Sequence, residues 1–430
     1  MSQLWKKSHT GAPNPFFQKY TTGTDPIFDL ELFPFDVKAS TLHVKMLQKI
    51  GILSKSELKK LLSGFEKLLK KYEAGKITIL SEDEDCHTII ENEMIKICGE
   101  TAKKIHTGRS RNDQVLVALR LLMIQKLTEI LRKLKKVSGG FVNFAEKYQG
   151  TPFPGYSHTR EAMLSSIDHY FLGYTELLLN DYEYLKFAKK QTSQNPLGTG
   201  AGYGSSFPLD REMTTKELGF EKIQLNSLST QLSRGKFELF TMDALVQLML
   251  TLGKFANDIC YFSMDELQYF LLDDAITTGS SMMPQKRNPD GFEILRGFTS
   301  VVIGNQHAIQ GISQNSFTGY NRDFQLIKKP LLESLTIVSN SLEFVSLALT
   351  HLKPNQKNIE QKISSGIFAA DIANDLVKEK KIPFRDAYKM AMQKIGTQKI
   401  NLQENIRSKI SLGAPGNAQL EWYKKMIEKM

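Results

Sequence analysis

Apolar positions along this chain recur at helical spacing in one long segment after another. Leu42, Val44, Met46, Leu47 and Ile50 form a stripe that stops at Gly51. Ser54 with Glu57 three residues on reads as a capping box, opening a lysine-rich amphipathic helix to about Ala74. Further helices are expected from Ser110 or Asn112 to about Lys136, and from near Thr159 to about Ala188. From Phe237 to Leu272 a broad apolar face carries Leu245, Leu248, Met249, Leu252, Phe255 and Ile259, with Met242, Leu250 and Phe262 off that stripe. A helix of that length spans roughly 50 Å and wants neighbours on several sides. Two more follow, one beginning near Pro289 and one ending at about Leu352. The chain opens irregularly, through Pro13, Pro15, Gly23 and Pro26, and from about Lys353 it reads as a small helical domain.

Composition narrows the picture. With 430 residues, 41% of them hydrophobic, the chain can bury a sizeable core and divides into two or three domains. Its net charge of +10 suits nucleic acid or an anionic small molecule. The lysines are scattered over helices and no nucleic-acid motif is present, which favours the small anion. The start, MSQLWKKSHT, has no apolar run after its lysines, so no secretory leader is expected. The best membrane candidate, Met242 to Met264, is interrupted by Asp243, Lys254 and Asp258, and no membrane span is expected. Cys86, Cys98 and Cys260 show no ligand spacing and leave an odd count for disulfides, which suits a soluble, reducing, cytoplasmic setting. The acidic run Ser81 to Asp85 belongs at a helix N-terminus. His87 and Glu91 share a helix face, but no further ligands cluster nearby, and no metal is expected.

Four stretches break the helical pattern. In Leu271 to Gly291, Ser280 and Ser281 offer hydroxyls, Lys286 and Arg287 charge, and Asn288 an amide; Gly279 lets the backbone turn. In Lys104 to Val115, Gly108 permits a turn, and backbone amides converge where Arg109 and Arg111 are expected to point. That arrangement binds a carboxylate or phosphate, or is an ordinary capped helix with two solvated arginines. In Thr151 to Met163, His158 is expected at a helix start, where the dipole disfavours imidazolium. The glycines of Gln194 to Arg211 have no G-x-G-x-x-G register, Walker lysine or preceding strand, so they read as a tight multi-turn rather than a nucleotide loop.

These same stretches carry a resemblance. GSSMMPQKRNPD is similar to the GSSxMPxKxNP loop of the fumarase/aspartase superfamily. HTGRSRNDQV, EDCHTIIENEM, NPLGTGAGYGSSFP, IPFRDAY and the Y-x4-Q-x2-K pattern of Tyr320, Gln325 and Lys328 resemble segments of its argininosuccinate lyases. PGYSHTREAM is similar to their PGYTHxQxAxP, with Ser157, Arg160 and Leu164 in place of threonine, glutamine and proline. The resemblance covers about residues 4 to 400.

It implies an all-α, three-domain fold: residues 1–105, a central long-helix bundle over 106–352, and a trimmed C-terminal domain over 353–430. It implies cleavage of argininosuccinate to arginine and fumarate, with Ser280 as base, Lys286 and Asn288 as its electrostatic partners, and His158 with Glu293 as acid or acid relay. Ser110, Arg111 and Asn112 would hold the succinyl carboxylates with Gln114 near them, Ser157 would add a hydroxyl, and Tyr320, Gln325 and Lys328 would take the amino-acid end. No metal or organic cofactor is implied. A homotetramer is, each site drawing its motifs from three chains. The rival readings are another fumarate-releasing lyase, adenylosuccinate lyase or aspartase, and a non-catalytic crystallin-like relative.

Overall fold

The structure is a computed structural model describing residues 14–80, 83, 85–314, 316–397 and 400–430. In chain order it holds α1 (Pro15–Thr22), α2 (Asp25–Lys49), α3 (Lys55–Glu73), α4 (Cys86–Cys98), α5 (Arg111–Lys147), a hairpin of β1 (Pro152–Ser157) and β2 (Arg160–Ser166), and α6 (Ile167–Thr192). Then follow β3 (Gln194–Asn195), α7 (Arg211–Leu218), β4 (Lys222–Ile223), α8 (Ser227–Leu232), α9 (Lys236–Phe262) and β5 (Phe270–Leu272). The rest comprises α10 (Asp290–Gln314), α11 (Lys328–His351), β6 (Leu352–Pro354), and the shorter helices α12 (Gln356–Lys362), α13 (Ala369–Lys380), α14 (Phe384–Lys394), α15 (Leu402–Arg407) and α16 (Leu420–Lys429). Among the described residues the strands pair only as the two-stranded sheets β1–β2, β3–β4 and β5–β6, and the fold is predominantly α-helical.

The chain forms two compact units. One comprises residues 1–129, 185–245 and 302–336; the other comprises 130–184, 246–301 and 337–430. Helices α5, α6, α9, α10 and α11 each supply one stretch to each unit. In the first unit, Ala39 and Leu42 of α2, Val117 and Leu121 of α5, Leu197, Leu218 and Phe220 share a core. The second holds an aromatic core in which Phe141 lies 4.8 Å from Phe255 and Phe144 stacks on Phe171 at 4.2 Å. Its C-terminal helices bury Ile367, Ile372, Leu376, Ala387 and Ile406 together with Leu164 of β2.

Several expectations change here. From Pro15 on the opening is helical, not irregular: Pro15 and Pro26 sit in the first turns of α1 and α2, where a missing N–H costs nothing, while Pro13 lies outside the described residues. The capping box holds, with Glu57 N–H donating to Ser54 Oγ (3.2 Å) and Ser54 N–H to Glu57 Oε2 (2.9 Å). Of the acidic run, Ser81, Glu82 and Glu84 lie outside the described residues; Asp85 caps α4, accepting from Thr88 N–H at 2.8 Å. Helix α5 runs through Gly139 and Gly140 to Lys147 rather than ending at Lys136, because buried Phe141, Val142 and Phe144 keep it packed. Helix α9 stops at Phe262 rather than Leu272, and so spans about 40 Å. Beyond it Gln268 takes φ 46°, and Phe270–Leu272 pair with β6. The largest correction is at residues 152–166, expected to turn helical at Thr159. They form the β1–β2 hairpin, and the helix begins only at Ile167.

Two helical stretches, Ser227–Phe262 and Arg322–His351, are long and apolar enough by composition to cross a membrane. The first overlaps the Met242–Met264 segment set aside for its charges, and the second was overlooked. Within the protein 61% and 56% of their most apolar windows are buried, as for core helices.

Candidate active site

Five of the residues expected on substrate meet in the first unit. A cavity of about 240 Å³ is lined by Arg111, Asn112, Tyr320, Gln325 and Lys328, together with Asp25, Asp29, Asp85, His87, Arg234 and Glu238. Ser110 shapes this wall: its Oγ accepts from Asn112 N–H at 3.2 Å, and its own N–H donates to Asp113 Oδ1 at 2.9 Å, so it is the cap and Asn112 is not. The glycine-rich turn closes on the same carboxylate. Gly198 and Gly200, at φ 87° and 58°, aim their N–H groups at Asp113 Oδ2 from 2.9 and 3.0 Å. The nucleotide-like loop thus cradles a carboxyl group, and that group is the protein's own.

The two arginines of this segment part company. Arg111 lines the cavity and lies 3.3 Å from Asp85. Arg109, expected beside it, turns inward and donates to Ser40 Oγ at 2.8 Å. Gln114 is fully buried, with Nε2 donating to both oxygens of Asp36 at 3.0 and 2.9 Å, so it braces the cavity from behind. Asp36 also holds His87 Nδ1 at 2.6 Å. Burial opposes charge on both, but each partner outweighs it: Asp36 lies below the usual carboxylate range and His87 above the usual imidazole value. The pair's contribution to stability is therefore lost as pH falls through the depressed Asp36 value, and as it rises through the raised His87 value. Asp36→Ala, which strands a buried imidazolium and the Gln114 amide, is expected to cost about 3–5 kcal/mol of stability. Thermal melting of the purified variant checks this; a melting temperature equal to wild type would refute it.

Lys328 enters the cavity from the first turn of α11, with Nζ 2.6 Å from both Asp25 Oδ2 and Asp29 Oδ1. Burial works against its charge, but Asp29 and Asp25 prevail and its pKa is raised. Burial likewise pushes Asp25 up to about 7, against the pull of Lys328. Tyr320 packs under Arg234, whose guanidinium carbon is 4.6 Å from the ring centroid. Arg234 donates from Nε to Gln231 Oε1 at 2.9 Å and from Nη2 to the Asn112 carbonyl at 2.8 Å, so it joins the two motifs. Gln325 Nε2 donates to the Thr21 carbonyl at 2.9 Å. Donor atoms of Asp29, Cys86 and His87 lie within 4.8 Å of one another, a spacing a metal could use. They are engaged otherwise: Asp29 with Lys328 and the Cys86 amide, His87 with Asp36, while burial pushes the Cys86 thiol up.

The remaining candidates, Ser157, His158, Ser280, Lys286, Asn288 and Glu293, belong to the second unit. His158 and Thr159 are the two-residue turn of the hairpin, with φ 51° and 60°. This is the left-handed geometry of tight hairpin turns, usually filled by Asn-Gly. A β-branched residue there is strained by roughly 1–3 kcal/mol. The hairpin is anchored behind its tip, where Tyr156 and Tyr269 hydroxyls bond at 2.9 Å and Ser364 donates to Glu161. Ser157 and His158 are exposed.

The serine loop is pinched at its base by Thr278 and Asn288, which exchange backbone bonds of 3.2 and 2.8 Å. Gly279 turns without positive φ. Ser280 Oγ accepts the N–H groups of Met282 (3.2 Å) and Met283 (3.1 Å). Asn288 Nδ2 reaches Thr278 Oγ1 and the Gly279 carbonyl, both at 3.4 Å, and Lys286 extends into solvent. Glu293 lies 3.7 Å from Arg296, and among the described residues no hydrogen bond or ion pair joins it to His158, or either to Ser280. Sequence reasoning missed Asp25, Asp29, Asp36, Arg234 and Glu238. The i, i+4 spacing of Asp25 and Asp29 was a usable signal, hidden by reading that stretch as irregular.

The long-helix architecture, the charged cavity and the Ser280 loop are those of a chain that comparison with known proteins places among the lyases. The profile of the family described as Lyase matches residues 10–304. Argininosuccinate lyase of Thermotoga neapolitana is 41% identical over 400 residues, covering 92% of this chain and 99% of that one. Argininosuccinate lyase of Bacteroides fragilis is 37% identical over 387 residues, covering 90% and 86%. The chain belongs to this fumarase/aspartase-type lyase family and, within it, to the argininosuccinate lyases. The fold is shared more widely. EDDS lyase in complex with formate superposes with a TM-score of 0.81 at 22% identity, covering 98% of this chain and 91% of that one. Fumarate lyase:delta crystallin from Brucella melitensis bound to cobalt gives 0.74 at 16%, covering 93% and 91%.

Proposed function

We propose that this protein cleaves argininosuccinate to arginine and fumarate by stepwise β-elimination. The observation that carries the reading is the cavity where the Arg111–Asn112 and Tyr320–Lys328 motifs meet, which offers a guanidinium and an ammonium, each paired with carboxylates, to a substrate with carboxylates at both ends. Ser110, Arg111 and Asn112 hold the succinyl carboxylates, and Tyr320, Gln325 and Lys328 take the amino-acid end; Gln114 acts from behind, through Asp36. Ser280 removes the Cβ proton. A free serine is a poor base, but the Met282 and Met283 amides aimed at its Oγ stabilise the alkoxide form. Lys286 and Asn288 steady the carboxylate-stabilised dianion, and His158, oriented by Glu293 beside Ser157, delivers the proton to the guanidine leaving group.

The same proposal includes three folding domains, 1–105, 106–352 and 353–430, a cytoplasmic setting in keeping with three free thiols, and a homotetramer. Assembly is supported by apolar side chains left exposed on long helices, Leu177, Leu250, Ile294 and Leu347 at 44–58%. The serine loop is equally open, with Met282 86% exposed, and needs a cover to exclude water. Purified protein mixed with argininosuccinate is expected to release fumarate, read by absorbance, and to release none from adenylosuccinate or aspartate. Release only from one of the latter, or from none, would overturn the assignment.

A further inference from the structure

Ser157, His158, Thr159 and Arg160, at the tip of the β1–β2 hairpin, are all exposed. Strand alternation sorts the residues behind the turn onto two faces. Tyr156 and Glu161 oppose each other on the face tied to the rest of the chain. There the Tyr156 hydroxyl meets that of Tyr269 at 2.9 Å, and Glu161 Oε2 accepts from the Ser364 amide at 3.3 Å and from its hydroxyl. Ser157 and Arg160 are the next pair, so their side chains leave from the opposite, open face as direct cross-strand neighbours. The turn between them is stiffened by Thr159 Oγ1, which donates to the His158 carbonyl at 2.6 Å. Among the described residues the Arg160 side chain makes no hydrogen bond or ion pair. The one acid of the hairpin, Glu161, is on the other face and engaged with Ser364. The open edge thus carries a hydroxyl, an imidazole and an unopposed guanidinium, a set complementary to a carboxylate, which the guanidinium can take bidentately.

We propose that Arg160 is a specificity-determining residue that takes the succinyl carboxylate contacted by Ser157, giving this chain a guanidinium for the dicarboxylate half in addition to that of Arg111. The inference rests on the argininosuccinate reading, in which Ser157 adds its hydroxyl to that half. The resembling lyase motif has a neutral glutamine at this position, so arginine is a departure that adds a full positive charge. The hairpin register puts that charge on the face of Ser157, two residues from the imidazole, and not on the face where Glu161 would neutralise it. A guanidinium that meets the same carboxylate before and during the elimination strengthens binding without changing the barrier between them. Arg160 takes no part in proton transfer.

The test compares wild type with Arg160→Gln, which removes the charge and keeps a polar amide, and Arg160→Lys, which keeps the charge without the fork. The side chain is exposed, so both variants are expected to fold. Arg160→Gln should raise KM for argininosuccinate about ten- to a hundredfold, the span of one charge-assisted hydrogen bond, with kcat held within about threefold. Fumarate as an inhibitor of arginine release should weaken by the same factor, while arginine as an inhibitor of fumarate release is unchanged. Arg160→Lys should fall between wild type and Arg160→Gln. A structural role, acting through the turn that holds His158, would instead lower kcat and shift its pH profile at saturating substrate. That outcome overturns the proposal, as do an unchanged KM in Arg160→Gln and equal loss of fumarate and arginine inhibition. Failure of wild type to release fumarate from argininosuccinate would instead refute the parent reading, so the two failures are told apart.

Discussion

Ser280→Ala is expected to lower fumarate release by at least two to four orders of magnitude, the range of a positioned general base, while substrate binding is nearly unchanged. The hydroxyl is the atom on which the Met282 and Met283 amides converge, and its removal leaves those donors facing nothing. The loss falls on the transition state, so kcat should drop with KM held. Ser281, an exposed neighbour that among the described residues forms no hydrogen bond of this kind, is the control, and Ser281→Ala should cost far less. Stopped assays for arginine and fumarate would measure both variants. Equal damage from the two, or an active Ser280→Ala, would remove Ser280 from the mechanism.

Mixed tetramers are expected to recover activity from two dead parents. His158→Asn and Lys286→Met each disable a different motif, and if a site draws those motifs from different chains, some sites in a co-refolded mixture receive neither lesion. Recovery should be a sizeable fraction of wild type, against essentially none for either parent alone. The prediction rests on the exposure of both motifs, since neither the hairpin turn nor the serine loop is covered by the described residues of its own chain. A monomer by light scattering, or mixed tetramers that stay inactive, would show that one chain builds a complete site.

Much of this was legible along the chain, and the reason is locality. A capping box, a glycine turn and a serine loop are made by residues within a few positions of one another, so Ser54–Glu57, Gly108–Asn112 and Ser280–Asn288 could be read directly. Helical periodicity located the long helices because each must bury an apolar face. It failed at residues 152–166. There the chain's own preferences are weak, and pairing with a second strand, together with packing of Leu164 against Ile367 and Ile372, decided the structure.

The sequence by itself determined where most of the long helices and the short capped turns and loops form, since both are written in near neighbours. Only the tertiary structure decided which charges meet. Lys328 finds Asp25 and Asp29 across 303 and 299 residues, His87 finds Asp36 across 51, and Arg109 turns away from the cavity that Arg111 lines. A buried charge must have a partner, and which one it takes depends on where distant helices place their first turns.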